Sequence, residues 1–219
     1  MSILILTLSN KPHLLPDAIR SVQEQTRTRD VRHIVEVDDG SRDWGGRYPP
    51  NVFWNEQLVK AQPDDYVIFL SDDDLLLPTA IQELASCLDS HPQVNASYGA
   101  GDMYLYEPGK PDKFFMHVPA ERDYDGSHSL AGLVGSGMCM YRARCWETVG
   151  PWPEAGDDRT PLSDGDYFTQ LARLCGGIKA VHATVVYTRI TRWSAHTVPD
   201  GRGWHQRSNW RLQRVLSDG

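Results

Sequence analysis

Several features that would assign a chain to a familiar class are missing from these 219 residues. No stretch approaches the roughly 20 consecutive apolar residues that a membrane-spanning helix needs. The short apolar run at the N-terminus has no basic lead, as a secretory signal would have. The four cysteines (Cys87, Cys139, Cys145 and Cys175) show no CxxC spacing, so we interpret them as free thiols of a reducing compartment. These absences predict a cytoplasmic protein.

The motifs of several common enzyme classes are also missing. There is no GxGxxG after the first apolar run and no GxxxxGKS/T, which argues against a dinucleotide fold and a phosphate-binding P-loop. HExxH and GxSxG are absent as well. Lys and Arg number 22 against 29 Asp and Glu, and the net charge of −7 disfavours nucleic acid as a partner.

What is present is an alternation of strand and helix patterns over residues 1–99. Strand patterns lie at 3–8, 33–37 and 66–70, and helical periodicity follows them at 14–26, 52–62 and 78–91. This alternation predicts an α/β, Rossmann-like fold with a mainly parallel central sheet flanked by helices. Ligands of such sheets bind beyond the carboxyl ends of the strands.

The second half has a less regular pattern. Residues 100–190 predict a hairpin, a small-residue loop, two helices and a last strand, which together indicate a smaller, irregular lobe. Residues 191–219 form a tail rich in arginine and tryptophan. Since no stretch has the composition of a linker, we interpret residues 1–219 as a single domain with two lobes.

Three adjacent carboxylates, Asp72, Asp73 and Asp74, follow the third predicted strand. Such a cluster can be a solvated turn that caps the following helix, where the helix dipole favours anions. It can equally hold a hard divalent cation such as Mg²⁺ or Mn²⁺, which prefers oxygen ligands. Asp38 and Asp39 end the neighbouring strand, and this second acidic strand end favours the metal site.

The order of the motifs resembles a known enzyme family. "ILILTLSNKPHLLPDAIRSVQEQT", "HIVEVDDGSRD", "DYVIFLSDDDLLLPTAIQEL", "GSGMCMYRARCWETVGPWPE" and "LSDGDYFTQLARL" follow one another in the chain. Together they resemble the hallmarks of the family-2 glycosyltransferases, which have the GT-A fold, over about residues 2–190. The order and spacing of the motifs make this resemblance more specific than any one of them.

The resemblance implies that a sugar is transferred, with inversion, from a nucleoside diphosphate sugar with uridine as the expected base. It places the donor in residues 1–99 and the acceptor and catalytic groups in residues 100–190. Implied donor contacts are Thr7 and Asp39 at the base, Lys11 near the diphosphate and Asp72 at the ribose or metal. Asp73 matches the main ligand of Mn²⁺ or Mg²⁺ in the DxD motif, and Asp166 matches the catalytic base.

The chain departs from the family pattern at four places. Ser9 stands where an aromatic residue can stack on the base, and Trp54 replaces an arginine that commonly precedes the asparagine matching Asn55. Ser71 holds the place of the usual first acid, so either Asp72 or Asp74 assists Asp73. Gly165 replaces the glutamate before Asp166, which leaves Asp164 as a rival base.

Further candidates have both a functional and a structural interpretation. His196 is either a late metal ligand or an exposed loop histidine, and Arg189 either binds the diphosphate or lies on the surface. Gly135, Ser136 and Gly137 allow close backbone approach and are candidates to line the acceptor site. Trp193 is either an aromatic platform for a sugar acceptor or a packing residue of the tail.

The sequence leaves more than one interpretation open for the partners and for the reaction class. The acceptor is a glycan, a lipid-linked molecule or a protein, and the basic, aromatic tail can contact anionic lipid or a second subunit in a homo-oligomer. Strand-end acids and Mg²⁺ also suit a nucleotidyltransferase, although the chain lacks a glycine-rich basic loop after its first strand. A non-catalytic module that binds sugar nucleotides or glycans is the third hypothesis, which the presence of both Asp73 and Asp166 disfavours.

Overall fold

The computed structural model describes residues 1–38, 50–127, 136–152 and 164–190, with the backbone alone at 50, 136 and 164–166. The strands are β1 Ile3–Ser9, β2 Val31–Val37, β3 Tyr66–Phe69, β4 Asp74–Leu76, β5 Ala96–Leu105, β6 Lys113–Val118, β7 Cys139–Arg142 and β8 Lys179–Ile190. The helices are α1 Leu15–Gln23, α2 Pro50–Leu58, α3 Ala80–Ser90, α4 Arg144–Val149 and α5 Asp164–Cys175, and Ser136–Met138 form a 3-10 turn before β7.

The described strands join in one mixed sheet in the order β2-β1-β3-β7-β5-β8-β4, with β6 paired to β5. Parallel pairing joins β1 to β2 and β3, and β5 to β8. Antiparallel pairing brings in β7, β4 and β6. The predicted α/β class is confirmed, but the parallel order applies to β2-β1-β3 and to β5-β8 rather than to most of the sheet.

Helices cover both faces of the sheet because its central strands are apolar on both sides. In β1, Ile3 and Ile5 pack into the core beneath α1 and α3, whereas Leu4 and Leu6 pack into the core on the other face. The predicted stripe of α3 (Ile81, Leu84, Ala85 and Leu88) is fully buried. The predicted inward face of α5 (Phe168, Leu171, Ala172 and Cys175) is buried as well.

One element between β3 and α3 differs from the sequence prediction. The apolar residues after the acids form the short strand β4, in which Leu75 pairs with Tyr187 of β8. The helix then begins at Ala80, two residues after Pro78, although the sequence predicts Pro78 in its first turn. A three-residue strand has too few side chains to show alternation, so only its distant partner identifies it. Among the described residues, no helix is long and apolar enough to span a membrane.

Candidate active site

The acidic turn after β3 is bound to the end of β1 by Asp72. Its Oδ2 accepts hydrogen bonds from Ser9 Oγ (2.9 Å), the Asn10 amide (2.9 Å) and the Lys11 amide (2.6 Å). Because β1 and β3 are parallel neighbours, their carboxyl ends meet at one edge of the sheet. Asp72 is only 4% exposed, and its charge is therefore stabilised by these donors rather than by bulk water. Asp72 and Ser9, both predicted donor-binding residues, hold this loop in place.

Lys11 places its ammonium group against the same acids. Its Nζ forms an ion pair with Asp73 Oδ2 and lies 3.7 Å from Asp72 Oδ1. Asp73 is 8% exposed, and its backbone carbonyl accepts a hydrogen bond from the Arg189 amide at 3.1 Å. The predicted metal ligand and the predicted diphosphate contact are thus in direct contact in this structure.

The third acid of the turn faces the small-residue segment before β7. A Cβ added at Gly137 would lie 3.7 Å from Asp74 Oδ2 and 3.2 Å from Val186 Cγ2. Asp74 is the first residue of β4 and pairs with Thr188. Gly137, a predicted acceptor-site residue, therefore adjoins the acidic turn. Ser136, another predicted acceptor-site residue, is the first residue of the 3-10 turn that contains Gly137. Gly135 lies outside the described residues.

Helix α5 begins at Asp164, so the two candidate bases, Asp164 and Asp166, belong to its first turn. The side chains of both residues lie outside the part of the chain that the structure describes. Tyr167, the next residue, is buried and stacks on Trp152 with ring centroids 3.7 Å apart. Trp152 in turn meets Phe69 at the end of β3, with centroids 5.2 Å apart. This aromatic stack fixes the start of α5 relative to the strand that leads into the acidic turn.

The second acidic strand end, after β2, is separated from the first by β1, so the two acidic ends are not on neighbouring strands as the sequence predicts. The Asp38 amide donates to the Ser9 carbonyl at 2.8 Å, which joins the ends of β2 and β1. Asp39, His196 and Trp193 lie outside the described residues, as does the whole tail 191–219.

Thr7 is fully buried, and its hydroxyl is hydrogen-bonded across the sheet to His33 (Oγ1 to Nε2, 2.9 Å). Burial lowers the pKa of His33 from 6.5 to about 4 because the charged imidazolium loses its hydration. The pair is thus a neutral link between β1 and β2. A base contact by Thr7, as the resemblance implies, would have to involve its backbone or break this bond.

Asn55 uses its side-chain amide within the protein. Its Oδ1 accepts from the Trp152 amide (2.9 Å) and from Trp146 Nε1 (3.2 Å), and its Nδ2 donates to the Trp152 carbonyl (2.9 Å). These bonds connect α2 to α4 and to the aromatic stack. Asn55, which the sequence predicts to bind the donor, here stabilises the packing of these core elements.

Arg189, a candidate diphosphate ligand, is bound to two acids. Nη1 lies 2.7 Å from Asp17 Oδ2 of α1, and Nε lies 3.1 Å from Asp112 Oδ2. Burial works to lower the pKa of Arg189, but the hydrogen bonds to Asp17 and Asp112 outweigh it and raise the pKa. The guanidinium also lies over the Tyr106 ring, 5.3 Å from its centroid. No local signal in the sequence identifies these partners, since Asp17 is 172 residues away.

The acidic turn has the residue types of a metal site in which a bound ligand supplies some of the coordinating oxygens. Among the described residues no group of three or more His, Cys, Asp or Glu side chains is arranged to hold a metal ion. Mg²⁺ commonly takes one or two protein carboxylates and fills its remaining positions with water and phosphate oxygens. Asp72 and Asp73 each bring a carboxylate oxygen to the Lys11 ammonium, which marks where a cation is already stabilised.

Two clefts among the described residues lie elsewhere. One of about 390 Å³ opens between Asp123 and α5, and one of about 320 Å³ lies between α1 and the segment Leu75–Pro78. Neither is lined by Asp72 or Asp73. We place the candidate site at the strand ends because the charged side chains meet there.

Comparisons of the whole chain find its fold in solved structures of TarS from S. aureus. TarS 1–349 aligns with a TM-score of 0.56 at 13% identity, over 86% of this chain and 60% of that chain. Longer TarS aligns with a TM-score of 0.57 at 13% identity, over 99% of this chain and 43% of that chain. TarS 1–349 in complex with UDP aligns with a TM-score of 0.57 at 13% identity, over 99% of this chain and 71% of that chain.

The structures confirm the fold class, a mixed α/β, Rossmann-like fold, without singling out family 2. This chain spans about 60% of the first TarS structure's length. No protein-family model and no curated protein matches the sequence.

Proposed function

We propose that this protein is a metal-dependent, inverting glycosyltransferase that moves a sugar from a nucleoside diphosphate sugar to an acceptor hydroxyl. The observation that carries the proposal is the joining of the β1 and β3 ends through Asp72, which gathers Lys11 and Asp73 at one sheet edge. The same fold occurs in TarS, one structure of which contains UDP. A uridine nucleotide is therefore the donor to test first.

In this proposal the strand-end residues bind the diphosphate of the donor. Lys11 supplies a positive charge on a flexible stem, while Asp72 fixes its backbone amide at 2.6 Å. Asp73, assisted by Asp74, would hold Mn²⁺ or Mg²⁺, and such an ion offsets the charge that grows on the leaving diphosphate. The burial of all three acids favours electrostatic stabilisation, since charges interact more strongly where water is scarce.

Asp166 is the proposed general base, with Asp164 as the rival. Removal of the proton from the acceptor hydroxyl allows its oxygen to attack the anomeric carbon as the bond to the diphosphate breaks. One displacement from the face opposite the leaving group inverts that carbon. Gly137, which adjoins Asp74, is a proposed part of the acceptor side because a side chain there would narrow the approach.

The first test is a thermal-shift screen with UDP and UDP-sugars, with and without Mn²⁺. A ligand at about 100 times its dissociation constant adds roughly 2.7 kcal/mol of stability, which raises the melting temperature of a domain of this size by about 5–11 °C. Active donors are then assayed for release of UDP. Stabilisation without release across acceptor libraries would favour the binding module, and pyrophosphate release from a nucleoside triphosphate would favour nucleotidyl transfer.

Variants assign the acidic roles. We expect Asp166→Asn to lower turnover by about 100-fold or more, the usual contribution of general base catalysis, with donor binding retained. Asp164→Asn is the matched variant, and the larger loss of the two identifies the base. Asp64→Asn, at an exposed carboxylate paired with Arg144, controls for a general change of charge. Full activity in both Asp73→Asn and Asp166→Asn would contradict the assigned mechanism.

A further inference from the structure

Lys11 is bound at both ends to the acidic turn. Its backbone amide donates to Asp72 Oδ2 at 2.6 Å, and its Nζ forms the ion pair with Asp73 Oδ2. Asp72 Oδ1, 3.7 Å from Nζ, adds a second negative charge on the same side. The ammonium is therefore the cation that offsets the buried acids when no other cation is present.

A divalent ion and this ammonium need the same oxygen. Asp73 Oδ2 cannot bind both at close range, because two cations on one carboxylate oxygen repel each other strongly where water is scarce. Asp72 offers no free replacement at Oδ2, which already accepts three hydrogen bonds. A metal ion that arrives alone must therefore displace the Lys11 ammonium from its closest carboxylate and leave it only the longer contact with Asp72 Oδ1.

The diphosphate of a donor changes this balance. Its phosphate oxygens are new partners for an ammonium group, and lysine commonly binds phosphate as a point charge. Because Asp72 fixes the backbone of Lys11, the four-carbon stem can turn from Asp73 to a phosphate while the loop stays in place.

We propose that Lys11 is a resident counter-cation that occupies the cation position at Asp73 until a diphosphate arrives. Divalent cation and diphosphate then bind cooperatively, because the diphosphate accepts Nζ and frees Asp73 for the metal. The proposal rests on the proposed function in that it assumes a diphosphate ligand at this edge of the sheet. Linkage requires that the cation raises the affinity for the diphosphate by the same factor.

The test is a titration with Mn²⁺ alone, followed by the electron paramagnetic resonance signal of the free ion. In Lys11→Met, which keeps the length of the stem and removes the charge, Mn²⁺ should bind about tenfold more tightly than in the wild type, a difference of about 1.4 kcal/mol. The matched control is Lys60→Met, which removes one charge from an exposed lysine just after α2. Its Mn²⁺ affinity should change by less than about threefold, since exposed charges are screened by salt.

A second variant locates the bound ion. Lys11→Met combined with Asp73→Asn should lose the gain in Mn²⁺ affinity, because the carboxylate oxygen that the ammonium released is no longer charged. Equal Mn²⁺ affinity in wild type and Lys11→Met, or an unchanged gain in the double variant, would overturn the proposal.

A second titration measures the affinity for Mn²⁺ in the presence of UDP. The binding of Mn²⁺ by UDP in solution is measured separately and subtracted. The wild type should show cooperative binding, and Lys11→Met should lose most of it. Cooperativity equal in the two proteins would also overturn the proposal. None of these measurements requires sugar transfer, so their outcome is independent of whether the proposed reaction is found.

Discussion

The hydrogen bonds to Asp72 allow a quantitative prediction for Asp72→Ala. The substitution removes one acceptor that serves the Ser9 hydroxyl and two backbone amides. A hydrogen bond to a charged group contributes about 1.5–3 kcal/mol, and three would sum to more than 4 kcal/mol. The Asn10 and Lys11 amides lie in a partly exposed loop and can bind water, and the cost of burying the carboxylate is relieved. We therefore expect a net loss of about 3 kcal/mol in the free energy of unfolding.

Urea denaturation measures this loss, and a thermal scan should show a fall of roughly 6–12 °C for a domain of this size. Ser9→Ala removes one of the three donors and should cost about 1.5 kcal/mol. In the Asp72→Ala background the same Ser9→Ala change should cost nearly nothing, because its acceptor is already absent. Asp64→Ala, at an exposed ion pair, should stay within about 1 kcal/mol of the wild type. A loss below about 1 kcal/mol for Asp72→Ala would refute the idea that this carboxylate holds the loop.

Three further perturbations test other parts of the structure. His33 has a pKa of about 4 when folded and 6.5 when unfolded, so its contribution to stability is complete above pH 6.5 and is lost as the pH falls towards 4. The urea midpoint should follow that course, and His33→Gln should flatten it. Asn55→Ala leaves the Trp152 amide and carbonyl without their partner and should cost about 2–4 kcal/mol by denaturation, whereas a loss below about 0.5 kcal/mol would contradict the network. Gly137→Ala places a Cβ 3.2 Å from Val186; we expect a loss of about 1 kcal/mol and a larger proportional loss in UDP-sugar turnover, and unchanged turnover would remove Gly137 from the acceptor side.

The sequence predicts the elements of the first half because each rests on local periodicity. β1 and β3 are apolar throughout, and the stripe of α3 is unbroken over three turns, so neither needs a distant partner to be recognised. It also predicts that Asp72, Asp73 and Asp74 lie at a strand end, where the structure places them. The pairing of β7 between β3 and β5, in contrast, depends on residues far apart in the chain.

The roles of individual polar side chains are less predictable for the same reason. Asn55 and Arg189 match positions where a donor contact is expected, yet their hydrogen bonds go to Trp152, Asp17 and Asp112. These partners are 77 to 172 residues away, and nothing in the neighbouring residues identifies them. Asp72 is a similar case, because the residues that bind it lie about 60 positions earlier in the chain.

The stack of Trp152 on Tyr167 bears on how such a protein can evolve. The two rings hold together the residues on either side of segment 153–163, with centroids 3.7 Å apart. A segment whose ends are fixed in this way can accept insertions at a small entropic cost, since loop closure depends only weakly on length. The helix that bears Asp166 therefore keeps its position when the number of residues between Trp152 and Tyr167 changes. Changes in chain length at this point and selection for a stable core then act on separate parts of the chain.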